Sequence, residues 1–333
     1  MTELTAKQIT KMLMVNIKKD MSTMIHGAPG IGKSQVVHQV ADELEMELID
    51  IRLNLRESVD LRGLPLVDEK SGRTRWLPPA ELPKTGKGIL FLDEINSGVP
   101  LSLQAAAMGL VLDRKLGEYK LPKGWVPVGA GNRVFDKAAT QRMGTALSNR
   151  FSHLEMKHSV DDWVSWAMTH GISHYITSYI RAKPDSLHRM PQHNEHAFPT
   201  PRSWEFANKY MDVQDKELRL NLISSVVGDG CSIELEGHIE MAAHLPDHDY
   251  VLTNPTRAPV PPMDQPSAMC MIGAALAHYT TSKNFKNALI YMARLPKEHE
   301  VAMVLDAITR DRSLTNTKAY GEWCVENQDV VVG

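Results

Sequence analysis

Apolar residues recur along this chain in two rhythms, and the switching between them predicts alternating helices and strands over the first 156 positions. From Thr5 to Lys18, residues Ile9, Met12, Leu13 and Ile17 fall on one helical face, so a helix opens the chain. Met21 to His26 is a short run suited to a buried strand. Past it, Val36, Val37, Val40, Ala41 and Leu44 return to one-face helical spacing. Glu47 to Asn54 reads as a second strand, Gly88 to Asn96 as an apolar third ending in two carboxylates, Trp125 to Gly131 as a fourth and Ser152 to Met156 as a fifth. Helices are predicted over Ala105–Leu112 and Ala138–Asn149, with a hairpin over Lys115–Leu121. Apolar strands in alternation with helices predict an α/β fold around a parallel, five-stranded sheet.

Two stretches break the pattern. Arg56 to Pro83 is rich in proline, glycine and charge, and a polar segment of that length between core strands is either a functional loop or a disordered insert. Beyond Met156 the pattern is helical: Val160–Met168, Ile172–Ile180, a helix opening near Pro201, Leu218–Val227, Ser232–Leu245, then Ala268–His278, Ala288–Leu295 and Glu300–Ile308 as a small bundle. Asn254 to Pro266 holds five prolines and reads as a linker or a strapped-down extended segment. The boundaries expected from this are an α/β domain at 1–157, a helical domain at 158–235 and a helical extension at 236–333.

The candidate chemistry sits where strands end. Between the first strand and the next helix lies Gly27-Ala28-Pro29-Gly30-Ile31-Gly32-Lys33-Ser34, a G-x-x-x-x-G-K-[ST] loop. Its glycines let successive N–H groups curl around an anion, and the following helix aims its positive end at the same point. Lys33 can reach β- and γ-phosphates, and the Ser34 hydroxyl can ligate Mg²⁺. The apolar strand at Gly88 ends in Asp93-Glu94-Ile95-Asn96. There Asp93 suits the Mg²⁺ shell and Glu94 suits polarising a water. Asn132, ending the fourth strand, either orients a water near the γ-phosphate or is a turn-forming residue after glycine.

Composition narrows the setting. With 333 residues, 43% of them hydrophobic, the chain can bury a large core divided into two or three domains. No apolar run is long enough to cross a bilayer and Met1-Thr2-Glu3-Leu4 lacks a signal pattern, so a cytoplasmic location is expected. Cys231, Cys270 and Cys324 are widely spaced and odd in number, as reduced thiols are. A net charge of −3 exerts no overall pull on nucleic acid or an anionic membrane. His188, His193 and His196 match no tight metal-ligand spacing.

The segments GAPGIGKS, ILFLDEIN, GAGN and ALSNRF, in this order, resemble an AAA+ ATPase of the MoxR group. The similarity covers about residues 20 to 210. Asp60-Leu61-Arg62-Gly63 and Trp76-Leu77-Pro78-Pro79 resemble the insert that group carries in its second helix, and the Lys115–Leu121 hairpin resembles its presensor-1 insert. The resemblance implies a P-loop AAA+ core followed by an α-helical lid and a helical extension. By it Asn132 is sensor 1, and Arg150 is the arginine finger offered to a neighbouring subunit, with Arg142 as rival. Pro199-Thr200-Pro201-Arg202-Ser203-Trp204-Glu205 resembles the sensor 2 signature, with Arg202 reaching the γ-phosphate. The function it implies is Mg²⁺-dependent ATP hydrolysis in a ring, a hexamer by expectation, that remodels a protein client. A partner with a von Willebrand factor A domain is expected by resemblance alone. Two alternatives stay open, a nucleotide-gated adaptor with slow hydrolysis and a DNA-associated motor. The absence of a basic stripe or helix-turn-helix pattern argues against the motor. GTP in place of ATP is also open.

Overall fold

The computed structural model describes residues 2–70, 72–133, 143–191 and 195–328. The chain divides into two compact units, Met1–Ser159 and Val160–Gly333.

Among the described residues the first unit holds ten strands: β1 (Glu3–Leu4), β2 (Thr23–His26), β3 (Glu47–Arg52), β4 (Leu64–Asp68), β5 (Arg73–Leu77), β6 (Gly88–Asp93), β7 (Lys115–Leu116), β8 (Tyr119–Lys120), β9 (Trp125–Gly131) and β10 (Ser152–Met156). Six of them form one sheet in the order β1-β10-β2-β9-β6-β3, with every pairing parallel. The five expected strands are there. The sixth, β1, has only two residues, too short to carry a periodic pattern, and pairs with the Glu155–Met156 end of β10.

Successive side chains of a strand point to opposite faces, so a strand buried on both faces must be apolar throughout. All of β6 is buried in this way. Ile89 and Phe91 join Ile9, Leu13, Val36, Val37 and Val40 from helices Ala6–Lys18 and Lys33–Glu43 in one apolar cluster. Leu90 and Leu92 join Leu103, Ala107 and Leu110 of helix Leu101–Leu112 in the other.

The Arg56–Pro83 segment is an ordered excursion rather than a bare loop. A short helix, Ser58–Arg62, leads into the antiparallel pair β4–β5, in which Leu64 faces Leu77 and Leu66 faces Arg75. Its apolar residues stay largely exposed, with Leu64, Leu66, Val67 and Leu77 each more than half accessible. Strand β7 pairs with β8 as the expected small hairpin. Within the helix expected over Ala138–Asn149, the described residues are helical at Thr145–Ser148, after an extended Gly144. Residues 138–142 of that expectation lie outside the described residues.

The second unit is helical and holds two apolar cores. One gathers Trp163, Val164, Ile176, Tyr179, Trp204, Ile223 and Leu235. The other gathers Val251, Met269, Ile272, Phe285, Tyr291, Met303 and Trp323. Helix Asp229–Ala242 runs unbroken through the boundary expected at 235. A helix His248–Thr253, too short to show a periodic face, precedes the proline-rich segment.

Candidate functional site

The sheet order explains how residues far apart in sequence meet. Strand β9 lies between β2 and β6, with His26 opposite Gly131 and Leu92 opposite Gly129. Parallel strands end on the same side. The glycine loop after β2, Asn132 after β9, and Asp93 and Glu94 at the end of β6 are therefore delivered side by side.

The loop is shaped for close backbone approach. Gly30 and Gly32 have φ of +76° and +98°, a region other residues enter only with strain. A Cβ on Gly27 would stand 2.5 Å from Ile31 Cδ1 and 3.0 Å from the Met156 carbonyl oxygen. Gly32 caps helix Lys33–Glu43 without a side-chain acceptor, which leaves the first-turn N–H groups directed at the loop. Lys33 is buried, and its ammonium donates to the carbonyls of Gly27 at 2.8 Å and Ala28 at 3.1 Å and to Asn132 Oδ1 at 2.8 Å. The Ser34 hydroxyl donates to Asp93 Oδ2 at 2.9 Å.

Asn132 is bonded at every polar atom. Its Nδ2 donates to Glu94 Oε2 and to Ser97 Oγ, both at 3.0 Å. Its backbone N–H donates to Asn96 Oδ1 at 3.1 Å, and its carbonyl accepts from Asn96 Nδ2 at 2.9 Å. Glu94 itself is left-handed at φ +55°, with its N–H donating to Asp93 Oδ1 at 2.9 Å. Such strain costs a non-glycine residue about 1–3 kcal/mol, and here it turns the carboxylate toward Asn132.

Behind the loop, His26 Nε2 meets His153 Nδ1 at 2.8 Å, and His153 Nε2 meets the Ser148 carbonyl at 2.6 Å. A carbonyl only accepts, so His153 carries its proton on Nε2, and His26 Nε2–H donates to His153 Nδ1. Burial lowers the His26 pKa from 6.5 to about 4, helped by His153 and by the charge of Lys33.

The site-residue expectations divide by place. Gly27, Ala28, Pro29, Gly30, Ile31, Gly32, Lys33, Ser34, Asp93, Glu94 and Asn132 lie at this end of the sheet. Arg150 stands exposed in the turn after helix Thr145–Ser148 and joins none of the bonds linking Lys33, Glu94 and Asn132. Arg142 lies outside the described residues. Arg202 belongs to the second unit, exposed in the first turn of helix Pro201–Asn208, whose start is fixed by the Thr200–Ser203 capping box. Among the described residues no cluster of three His, Cys, Asp or Glu side chains could hold a metal, and His193 lies outside them. Asn96 and Ser97 carry no role in the sequence pattern, although Asn96 closes the ILFLDEIN motif.

A parallel sheet whose neighbouring strand ends present a glycine phosphate loop, an Asp-Glu pair and a polar amide defines a P-loop domain of the AAA+ type. Residues 23–152 match the model of the AAA family, described as the ATPase family associated with various cellular activities. No curated protein matches the chain in sequence. Among solved structures, a point mutant of RuvB from Thermotoga maritima is similar at 16% identity and a TM-score of 0.42, covering 86% of each chain. NtrX from Brucella abortus in complex with ATP is similar at 14% identity and a TM-score of 0.40, over 96% of this chain and 67% of that one. Among the described residues no helix is long and apolar enough to cross a membrane.

Proposed function

We propose that this protein is a MoxR-like, Mg²⁺-dependent ATPase that works in an oligomeric ring and remodels a protein client. The observation that carries the reading is the hydrogen-bonded chain from Lys33 through Asn132 to Glu94, because it joins a phosphate-gripping cation to a candidate general base.

The residues fit the ligands. Gly30 and Gly32 hold the left-handed backbone that lets the loop curl around an anion, Lys33 supplies positive charge, and Ser34 and Asp93 offer hard oxygen donors within hydrogen-bonding distance of each other. Mg²⁺ keeps most of its shell from water and phosphate, so two protein donors are enough for it. When bound there, it would draw charge from the β- and γ-phosphate oxygens. Lys33 grips the same oxygens. Glu94 spends one carboxylate oxygen on Asn132 and keeps lone pairs to take a proton from an attacking water. Asn132 holds that carboxylate in place and orients the water.

Arg150 is exposed, as a finger offered to a neighbouring subunit must be, and its fork of donors suits phosphate oxygens. We assign Arg202 the sensor role in a helical lid, with residues 158–235 as that lid and 236–333 as the extension. The β4–β5 hairpin displays Leu64, Leu66, Val67 and Leu77, an apolar surface suited to gripping a client, with a von Willebrand factor A protein as the expected kind.

The test is ATP turnover by the purified chain, with Mg²⁺ and with excess EDTA, alongside particle mass with and without a non-hydrolysable ATP analogue. Turnover that needs Mg²⁺ and rises with ring formation supports the reading. Full-rate turnover by a monomer at any dilution overturns the ring.

A further inference from the structure

The β6–β9 ladder does not stop where its backbone pairing ends. Its last paired residues are Leu92 and Gly129, after which the Ile95 N–H donates to the Ala130 carbonyl at 3.0 Å. One step further, the partner of the β9 end is a side chain, that of Asn96. Its amide donates to the Asn132 carbonyl at 2.9 Å and accepts from the Asn132 N–H at 3.1 Å, the two-way exchange that a hydrogen-bonded pair makes in an antiparallel sheet, here appended to a parallel one. Asn96 is only 4% exposed, so a bond lost here would leave a buried polar group unpaired. Room for it is built in at Gly131, where a Cβ would overlap Asn96 Oδ1.

We propose that Asn96 is a positioning residue for ATP hydrolysis, an artificial rung that fixes the backbone of Asn132 so that its side chain spans Lys33 and Glu94. The proposal rests on the ATPase reading above. Its logic is that Asn132 must satisfy opposite neighbours at once. The Lys33 ammonium only donates and faces Oδ1, while the Glu94 carboxylate only accepts and faces Nδ2. A small rotation of the Asn132 backbone breaks one bond or the other. Ser97, accepting from the second Nδ2 hydrogen, restrains the amide plane. Asn96 touches neither Lys33 nor Glu94 in this network, so its effect passes through Asn132 and belongs to turnover rather than to nucleotide grip.

The experiment uses the full chain. Asn96→Ala should lower kcat about 10- to 100-fold, the scale of a misplaced catalytic group, while affinity for a non-hydrolysable ATP analogue stays within about threefold. Hydrogen exchange should quicken at the Asn132 N–H and remain slow at Ile95. In an Asn132→Ala background the Asn96→Ala change should cost little more, because its route is already gone. Asn96→Asp guards against misfolding and adds a pH signature. Ionised, its carboxylate opposes the Asn132 carbonyl. Protonated, it donates and accepts as the amide did. Its rate relative to the unmodified protein should rise from pH 8 to pH 6. Unchanged kcat in Asn96→Ala, nucleotide affinity falling in step with kcat, multiplying losses in the double variant, or an Asn132 N–H that exchanges as before would each overturn the proposal. Should the unmodified protein show no ATP turnover, the hydrolysis reading is what fails, and the Asn132 exchange rate then decides this proposal by itself.

Discussion

The Lys33 ammonium and the Asn132 side-chain oxygen meet at 2.8 Å, although one residue opens the helix after β2 and the other closes β9. Their meeting follows from strand order, since β9 pairs directly with β2 and sets Gly131 beside His26. It also fixes a direction. With Oδ1 committed to a cation, Nδ2 is left for Glu94, so whatever Lys33 grips is one side chain away from the carboxylate.

Lys33→Ala is expected to abolish useful nucleotide binding. Charge-assisted hydrogen bonds contribute about 1.5–3 kcal/mol each, and two lost phosphate contacts correspond to roughly 10²- to 10⁴-fold weaker binding. Titration calorimetry with a non-hydrolysable ATP analogue measures this directly. Affinity within tenfold of the unmodified protein would remove Lys33 from the phosphate site.

Glu94→Gln separates grip from chemistry. The glutamine carbonyl can still accept from Asn132 Nδ2, so the network keeps its shape, but an amide takes no proton from water. Binding should stay within a few-fold, and single-turnover hydrolysis should slow by about 10²- to 10⁴-fold. Unaltered hydrolysis would move the base elsewhere.

How far the sequence reaches is visible in these residues. The glycine loop and the Asp93-Glu94 pair are legible because each needs fixed residue types at fixed local spacing, beside strands apolar enough to read as buried. Asn96 is legible as a residue and illegible as a contact, since nothing local shows that it would reach across to Asn132. Strand β1 has two residues and no period, and the β4–β5 hairpin hides because Leu64, Leu66 and Leu77 stay exposed and give no buried face to detect. Gly144, at ψ 142°, is extended, so it breaks the helix that periodicity suggests just before Thr145–Ser148. The His26–His153 pair depends on β10 lying beside β2, a topological fact with no local signature.

Arg150 calls for a mixing experiment. Arg150→Ala alone and Lys33→Ala alone should each show little hydrolysis. Mixed rings should recover part of it, because some interfaces then pair an intact loop with an intact arginine. Random mixing at equal amounts gives about one quarter of the interfaces both groups, which bounds the recovery when each site works independently. Mass measurement establishes that mixed rings have formed. No recovery in such rings would shift the role from Arg150 to Arg142 or another residue.

Acidification should weaken the two units by different routes. Burial lowers His26 in the first unit, and His174 and His238 in the second, to about 4 from 6.5. Between those values the unfolded chain takes up protons that the folded chain refuses, so stability present above pH 6.5 is lost as pH falls towards 4. The loss is at most about 3 kcal/mol for each histidine. Asp306 runs the other way. Burial raises it to about 6 from 3.8 despite the Arg181 guanidinium at its Oδ1, so the folded state binds its proton first and gains stability over a similar window. In the second unit lowered histidines, His278 and His299 as well as His174 and His238, therefore oppose the Asp306 carboxyl, whereas His26 acts without such an offset from Asp306 in the first. Thermal melts at pH 7, 6 and 5 should show a falling midpoint, and His26→Gln should flatten the pH dependence of the transition assigned to the first unit while lowering it at pH 7 through the lost bond to His153. A slope unchanged by His26→Gln would show that this histidine titrates normally in the fold.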